Sequence, residues 1–278
     1  KDRAKIIVVD ENFHGRTINV ISFSTDPESK DDFGPFNPGY HVIPYNDTAA
    51  LEDLASDPEI AGFLVEPVQG EAGAVVPDEG YLQKVRTICD KNNILFLADE
   101  IQTGLGRTGQ MLCCDHENVK PDVLILGKAL SGGMMPVSAV LADDPVMLAI
   151  QPGEHGSTFG GNPLGMRVTI EAVRSVIDES MPENAAEMGE LFRNRINALD
   201  HPWIKQVRGK GLLNAVVLDE EKAELNAKEI CKKLIKNGLL AKQTREYVIR
   251  FTPPLIITEE QMQAGCDIIE KTFQELLE

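Results

Sequence analysis

An α/β fold, a mostly parallel sheet sandwiched by helices with a smaller C-terminal α+β domain, is predicted by three features of the sequence. Apolar runs rich in β-branched residues, KIIVV, IAGFLV, ILFLA and VLIL, are continuous enough to be strands buried on both faces. Helical patterns lie between them, the alternation of βαβ units. From Pro163 onward the texture changes to two long helical patterns, then short strands and further helices.

The elements follow in order. KIIVV opens the sheet, and the irregular loop 24–40, with few apolar residues, follows it, a kind of excursion that often shapes a site. NDTAALEDL starts a helix with Asp47 as its N-cap. IAGFLV is the next strand. A helix near 81–92 then places Tyr81, Val85, Ile88 and Cys89 on one stripe, and ILFLA and VLIL complete the central sheet. Patterns over 163–180 and 182–199 both carry proline in the first turn. LLNAVVL, a helix over 227–237 closed by Gly238, the strands LLAK and VIRF, and a helix from Glu259 form the smaller domain. The expected division is residues 1–180 and 181–278.

Composition narrows the function. The chain has 278 residues, 42% hydrophobic, with apolar runs too short to span a membrane. A net charge of −17 argues against a nucleic-acid partner. The five cysteines form no CxxC pair, and an odd count without a framework predicts reduced thiols inside a cell. The histidines lie far apart, with no metal-binding spacing. The chain begins at a strand without an initiator methionine, so a fragment of a longer protein is expected. The expected location is intracellular and cytoplasmic, with the mitochondrial matrix left open.

Charge falls where strands stop. GFLV runs into Glu66, ILFLA into Asp99 and Glu100, and LILG into Lys128. Carboxyl ends of parallel strands share one edge, where ligands bind. Each charge alone reads as an ordinary strand-to-loop boundary; three together point to one crevice. A desolvated lysine there becomes an amine nucleophile able to hold an aldehyde cofactor as a Schiff base. A pyridoxal ring held that way needs an anion at its nitrogen, and Asp99 is of the right type. Gln102 offers an amide to the phenolic oxygen, and Ile101 can pack under the ring. HGSTFGGNPLG (155–165) supplies hydroxyls leading into a helix N-terminus, either a phosphate site or an ordinary capped turn.

ADEIQTGLGRTG, LGKALSGGMMPVSAV, GEHGSTFGGNPLG, RGKGLL and IRFTPPL resemble the fold-type I, class III aminotransferases, which use pyridoxal 5'-phosphate. Within that class, STDPESKDDFGPFNPGY, VIPYND and VEPVQGEAGAVVPDEGYL are similar to the members acting on ornithine. The family also has an N-terminal segment and a Gly-rich phosphate loop that precede the first residues here. The resemblance implies that Lys128 is the Schiff-base lysine and proton carrier, that Asp99 pairs with the ring nitrogen, and that Gln102 contacts the phenolic oxygen. It implies that Phe13 stacks on one ring face and Ile101 on the other. Thr158, with Ser157, reaches the phosphate held by a neighbouring subunit, so a homodimer is implied. Arg16 would hold the α-carboxylate of ornithine. Arg250 would pair with Glu71 when ornithine binds and turn to 2-oxoglutarate in the other half-reaction. The implied activity moves the δ-amino group of L-ornithine to 2-oxoglutarate in a ping-pong cycle, giving glutamate 5-semialdehyde and L-glutamate.

Rival readings remain. Acetylornithine and γ-aminobutyrate transaminases share the core motifs. A non-catalytic protein on the same fold would not need Lys128, Asp99 and Gln102 together. GLGRTG (104–109) matches the dinucleotide fingerprint GxGxxG, but it begins several polar residues after the strand, whereas the fingerprint needs its glycines in the strand-to-helix turn.

Overall fold

A computed structural model of the chain describes residues 4–277. The strands β1 (Lys5–Val9), β2 (Tyr40–Ile43), β3 (Ile60–Val65), β4 (Leu95–Asp99), β5 (Val123–Leu126) and β6 (Ala139–Ala142) form one sheet in the order β2-β1-β3-β4-β5-β6. Every neighbouring pair is parallel except β5 with β6. The four apolar runs read from the sequence are its central strands. Their side chains Ile7, Val9, Phe63, Val65 and Phe96 are fully buried, as a sheet covered on both faces requires.

The crossover helices obey their local signals. Asp47 Oδ1 accepts from the backbone N–H groups of Ala49 and Ala50, at 3.0 and 2.9 Å, and starts Thr48–Ala55. Helix Tyr81–Asn92 buries Tyr81, Leu82, Val85, Ile88 and Cys89 against the strands, the stripe its periodicity predicts.

A second sheet holds β7 (Ile204–Lys210), β8 (Leu213–Leu218), β9 (Lys242–Arg245) and β10 (Val248–Phe251), antiparallel throughout, in the order β7-β8-β10-β9. Helices Met181–Asn197, Ala227–Lys236 and Glu259–Gln274 pack with it around Phe192, Leu234, Ile249 and Phe273. Capping boxes start two of them, Asn226 with Glu229 and Thr258 with Gln261.

The sequence misses β2, β6 and β7, and it sets a strand over LLAK where the ladder begins only at Lys242. All four are edge strands. An edge strand has one ladder partner and a solvated side, so its sequence lacks the continuous apolar run of a central strand. Leu239 and Ala241 pack against the apolar core without joining the ladder, which is why their hydrophobicity misleads.

The described residues fall into two compact units. One lies within Lys1–Pro67, Pro77–Leu105 and Leu112–Ser175, the other within Val68–Val76, Gly106–Met111 and Val176–Glu278. In the first unit, Met134, Val140, Leu148, Phe159, Leu164 and Ile170 stand exposed. Among the described residues no helix is long and apolar enough to cross a membrane. All five cysteines are buried and outside any disulfide, and burial pushes the thiols of Cys89 and Cys266 up to about 12 and about 11.

Candidate active site

In the first unit, β3, β4 and β5 run parallel, so Glu66, Asp99 and Lys128 follow strand ends on one edge of the sheet. The carboxylates at these ends, Glu66, Asp99 and Glu100, do different work. Glu66 is buried and accepts the Phe13 backbone N–H at 2.9 Å, fixing the turn after β1. Glu100, also buried, accepts from the Thr103 hydroxyl and from the backbone N–H groups of Cys113 and Cys114. Burial pushes its carboxyl up, and those hydrogen bonds oppose the shift. It ties down a loop.

Asp99 is held for another purpose. Its Oδ1 accepts the Ile101 backbone N–H at 3.0 Å, and its Oδ2 lies 2.7 Å from His14 Nδ1. The side chains of His14 and Asp99 are 3% and 5% exposed. A carboxylate has about four acceptor positions, so these two contacts orient the group while leaving it able to receive a further donor. His14 Nε2 is buried with no hydrogen-bond partner. With Nδ1–H donating to Asp99, the imidazole holds the carboxylate in one orientation.

Lys128 follows Gly127 at the end of β5, and the residue pairing with Asp99 across the ladder is Ile125. Its side chain is exposed and its φ is +44°, a left-handed conformation costly for a residue with a Cβ. Ile101 packs against this strand end: a Cβ built on Gly127 would lie 3.3 Å from Ile101 Cγ2. Glycine therefore lets Ile101 approach the end of β5, just before Lys128. Gln102, next in sequence to Ile101, is half-buried. Phe13 carries the Arg16 guanidinium 5.6 Å from its ring centroid, so the proposed ring-stacking and carboxylate-binding residues are neighbours. Ser157 and Thr158 lie in an exposed turn where Ser157 Oγ accepts the Gly160 N–H at 2.9 Å.

The second unit holds the remaining pair. Segment Val68–Val76 is a small hairpin, closed by the Gln69–Val75 bridge, that presents Glu71. Arg208 donates to the carbonyls of Gly73 and Ala72, and a Cβ on Gly73 (φ +97°) would lie 2.5 Å from Val248 Cγ1. Only glycine fits that approach. Glu71 Oε1 then meets Arg250 Nη1 at 2.8 Å, and Glu71 Oε2 meets Lys242 Nζ at 3.0 Å. Burial pushes the Glu71 carboxyl up, but Arg250 and then Lys242 more than reverse it, leaving it at about 2. Burial, with the charge of Arg250 nearby, lowers Arg107 to about 10.

The structure thus brings together Asp99 with Ile101, Phe13 with Arg16, and Glu71 with Arg250. Two residues escape the sequence reading. His14 adjoins Phe13 in NFHGRT, and a histidine following a strand end could have been paired with Asp99. Lys242 has no signal short of the β9–β10 register. The dinucleotide alternative loses its structural context: the Gly104–Gly109 segment forms successive turns, with no helix opening at its glycines.

The family described as aminotransferase class-III matches residues 1–273. The chain is 55% identical over 272 residues to the mitochondrial ornithine aminotransferase of Drosophila melanogaster, covering 98% of this chain and 62% of that one. A crystal structure of the ornithine aminotransferase from Toxoplasma gondii superposes with a TM-score of 0.96 at 45% identity, over 99% of this chain and 66% of that one. An acetylornithine aminotransferase from Elizabethkingia anophelis gives a TM-score of 0.87 at 53% identity, over 99% and 68%. The chain spans 62% of the length of its Drosophila relative, and the fold is that of the fold-type I transferases.

Proposed function

Because the chain belongs to the class-III aminotransferases, we propose that it holds pyridoxal 5'-phosphate and moves the δ-amino group of L-ornithine to 2-oxoglutarate. Residues 1–180 would carry the cofactor and 181–278 the smaller domain. The observation that carries the reading is the buried Asp99, oriented by His14 and the Ile101 N–H on the strand edge that also bears Lys128.

The donor set fits the cofactor. Asp99 retains acceptor capacity for a ring nitrogen, Phe13 and Ile101 offer two apolar faces, Gln102 an amide, Lys128 an amine, and Ser157 with Thr158 hydroxyls for a phosphate. When bound, the cofactor supplies an aldehyde for the amino group and a ring that accepts the electron pair left at a deprotonated carbon. Asp99 would hold the ring-nitrogen proton in place. Lys128 would hold the cofactor through Nζ and, as the free amine once released from it, would carry the proton between carbon atoms. Arg16 takes the α-carboxylate of ornithine by its planar fork, and Arg250 serves the 2-oxo acid once it leaves Glu71.

Acetylornithine is the second reading, supported by the 53% identity to the Elizabethkingia protein. We also infer a homodimer, supported by the exposed apolar side chains between Met134 and Ile170 and by the exposed turn of Ser157 and Thr158. An intracellular location fits buried thiols outside any disulfide.

The test is spectral and chemical. Absorbance of the cofactor-loaded protein should change on adding ornithine, and borohydride reduction with peptide mapping should label Lys128. A label on any other lysine overturns the assignment. A spectral response to acetylornithine but not ornithine moves the substrate to the second reading.

A further inference from the structure

Strands β9 and β10 run antiparallel with Lys242 directly opposite Arg250. Opposite residues project to the same face, and like charges placed so repel. One carboxylate relieves the repulsion: Glu71 receives Arg250 on one oxygen and Lys242 on the other. The two cations are anchored unequally. Arg250 is 8% exposed and also donates to the Gly70 carbonyl at 2.9 Å, while the Lys242 side chain is 60% exposed.

We propose that Lys242 is a positioning residue that makes the Glu71–Arg250 pair separable, by keeping Glu71 paired when Arg250 turns to the carboxylate of a 2-oxo acid. The inference rests on the ornithine reading given above. Removing one partner from a buried ion pair is costly because the other charge is left uncompensated. With Lys242 already seated on Oε2, Arg250 can depart from Oε1 without that consequence. A compact ammonium on a flexible stem can follow the carboxylate as it relaxes. Exposed, it adds little stability of its own and so does not lock the cluster shut. Lys242 thereby biases which half-reaction Arg250 serves, touching neither substrate.

Lys242→Met is compared with the unchanged protein and with Lys242→Arg, by single-turnover kinetics of each half-reaction and by carbon NMR titration of Glu71. The rate ratio of the 2-oxoglutarate to the ornithine half-reaction should fall by about two- to fivefold in Lys242→Met, as expected for an exposed ion pair. Lys242→Arg should restore it, and the Glu71 carboxyl should titrate higher in Lys242→Met. A raised Glu71 titration with an unchanged ratio overturns the inference, as does an equal loss in both half-reactions. Should the ornithine half-reaction not run in the unchanged protein, the ornithine reading fails. The titration then still judges the cluster: a Glu71 unmoved by Lys242→Met shows that Lys242 does not hold it.

Discussion

Two carboxylates, Asp99 and Glu71, are held in opposite ways. Asp99 is 5% exposed and its partners are an imidazole and a backbone N–H, neither of which can leave without dismantling the turn after β1 or the end of β4. Glu71 is 26% exposed and its partners are two cationic side chains on facing strands. The first arrangement fixes a charge in one orientation. The second balances a charge between partners that can exchange. A group meant to stay put through a reaction and a group meant to release its partner call for these two solutions.

Substitution at Asp99 should break the comparison most severely. Asp99→Ala removes the fixed anion, and turnover in either half-reaction should fall by about 10²–10³-fold, the usual loss for a preorganised electrostatic group. Near-normal rates measured under saturating cofactor would assign the ring-nitrogen role elsewhere.

His14 sharpens it. His14→Phe leaves the carboxylate with one contact fewer, and a hydrogen bond to a charged group in a buried site corresponds to a loss of about tenfold or more. The loss should be equal for ornithine and 2-oxoglutarate, with a shifted absorbance of the bound cofactor. His14→Asn, which can still donate, should recover part of both. A loss confined to one substrate would mean that His14 acts on specificity rather than on Asp99.

Glu71→Ala should do the reverse, changing the partition with less effect on the chemistry. Arg250 is then unmasked in both half-reactions, so reaction with glutamate should improve relative to ornithine by about tenfold, between the values of exposed and buried pairs. Arg250→Lys should chiefly impair the 2-oxoglutarate half-reaction, since an ammonium cannot reproduce the fork. Half-reaction kinetics check both; equal losses for the two substrates would leave the pair a structural one.

The smallest effect is on stability. The folded-state carboxyl of Glu71 sits at about 2, below its ordinary 4.5. A depressed acid contributes stability above the unfolded value, and that contribution is lost as pH falls from about 4.5 through about 2. The melting-temperature gap between the unchanged protein and Glu71→Gln should therefore be full at pH above about 5 and shrink toward zero near pH 2. A gap independent of pH would mean that Glu71 is not held as an anion.

Much of this was legible in the sequence, and the physical reason is local. The central strands announce themselves because burial on two faces demands a continuous apolar run, and Asp47 announces a helix because an exposed N–H needs an acceptor a few residues away. Lys128, Asp99, Ile101 and Gln102 could be grouped because parallel strands end on one edge. The family resemblance added Phe13, Arg16 and the distant pair Glu71 and Arg250. What only the tertiary structure decided depends on register and on what sits opposite. The edge strands have no strong pattern of their own. Glu100 looks as available as Asp99 until the N–H groups of Cys113 and Cys114 claim it. His14 becomes a partner of Asp99 only because the turn after β1 comes down beside β4, and Lys242 reaches Glu71 only because β9 pairs with β10 in this register. Sequence spacing encodes neighbours along one strand or helix; contacts between elements are set by packing, and there the sequence alone is silent.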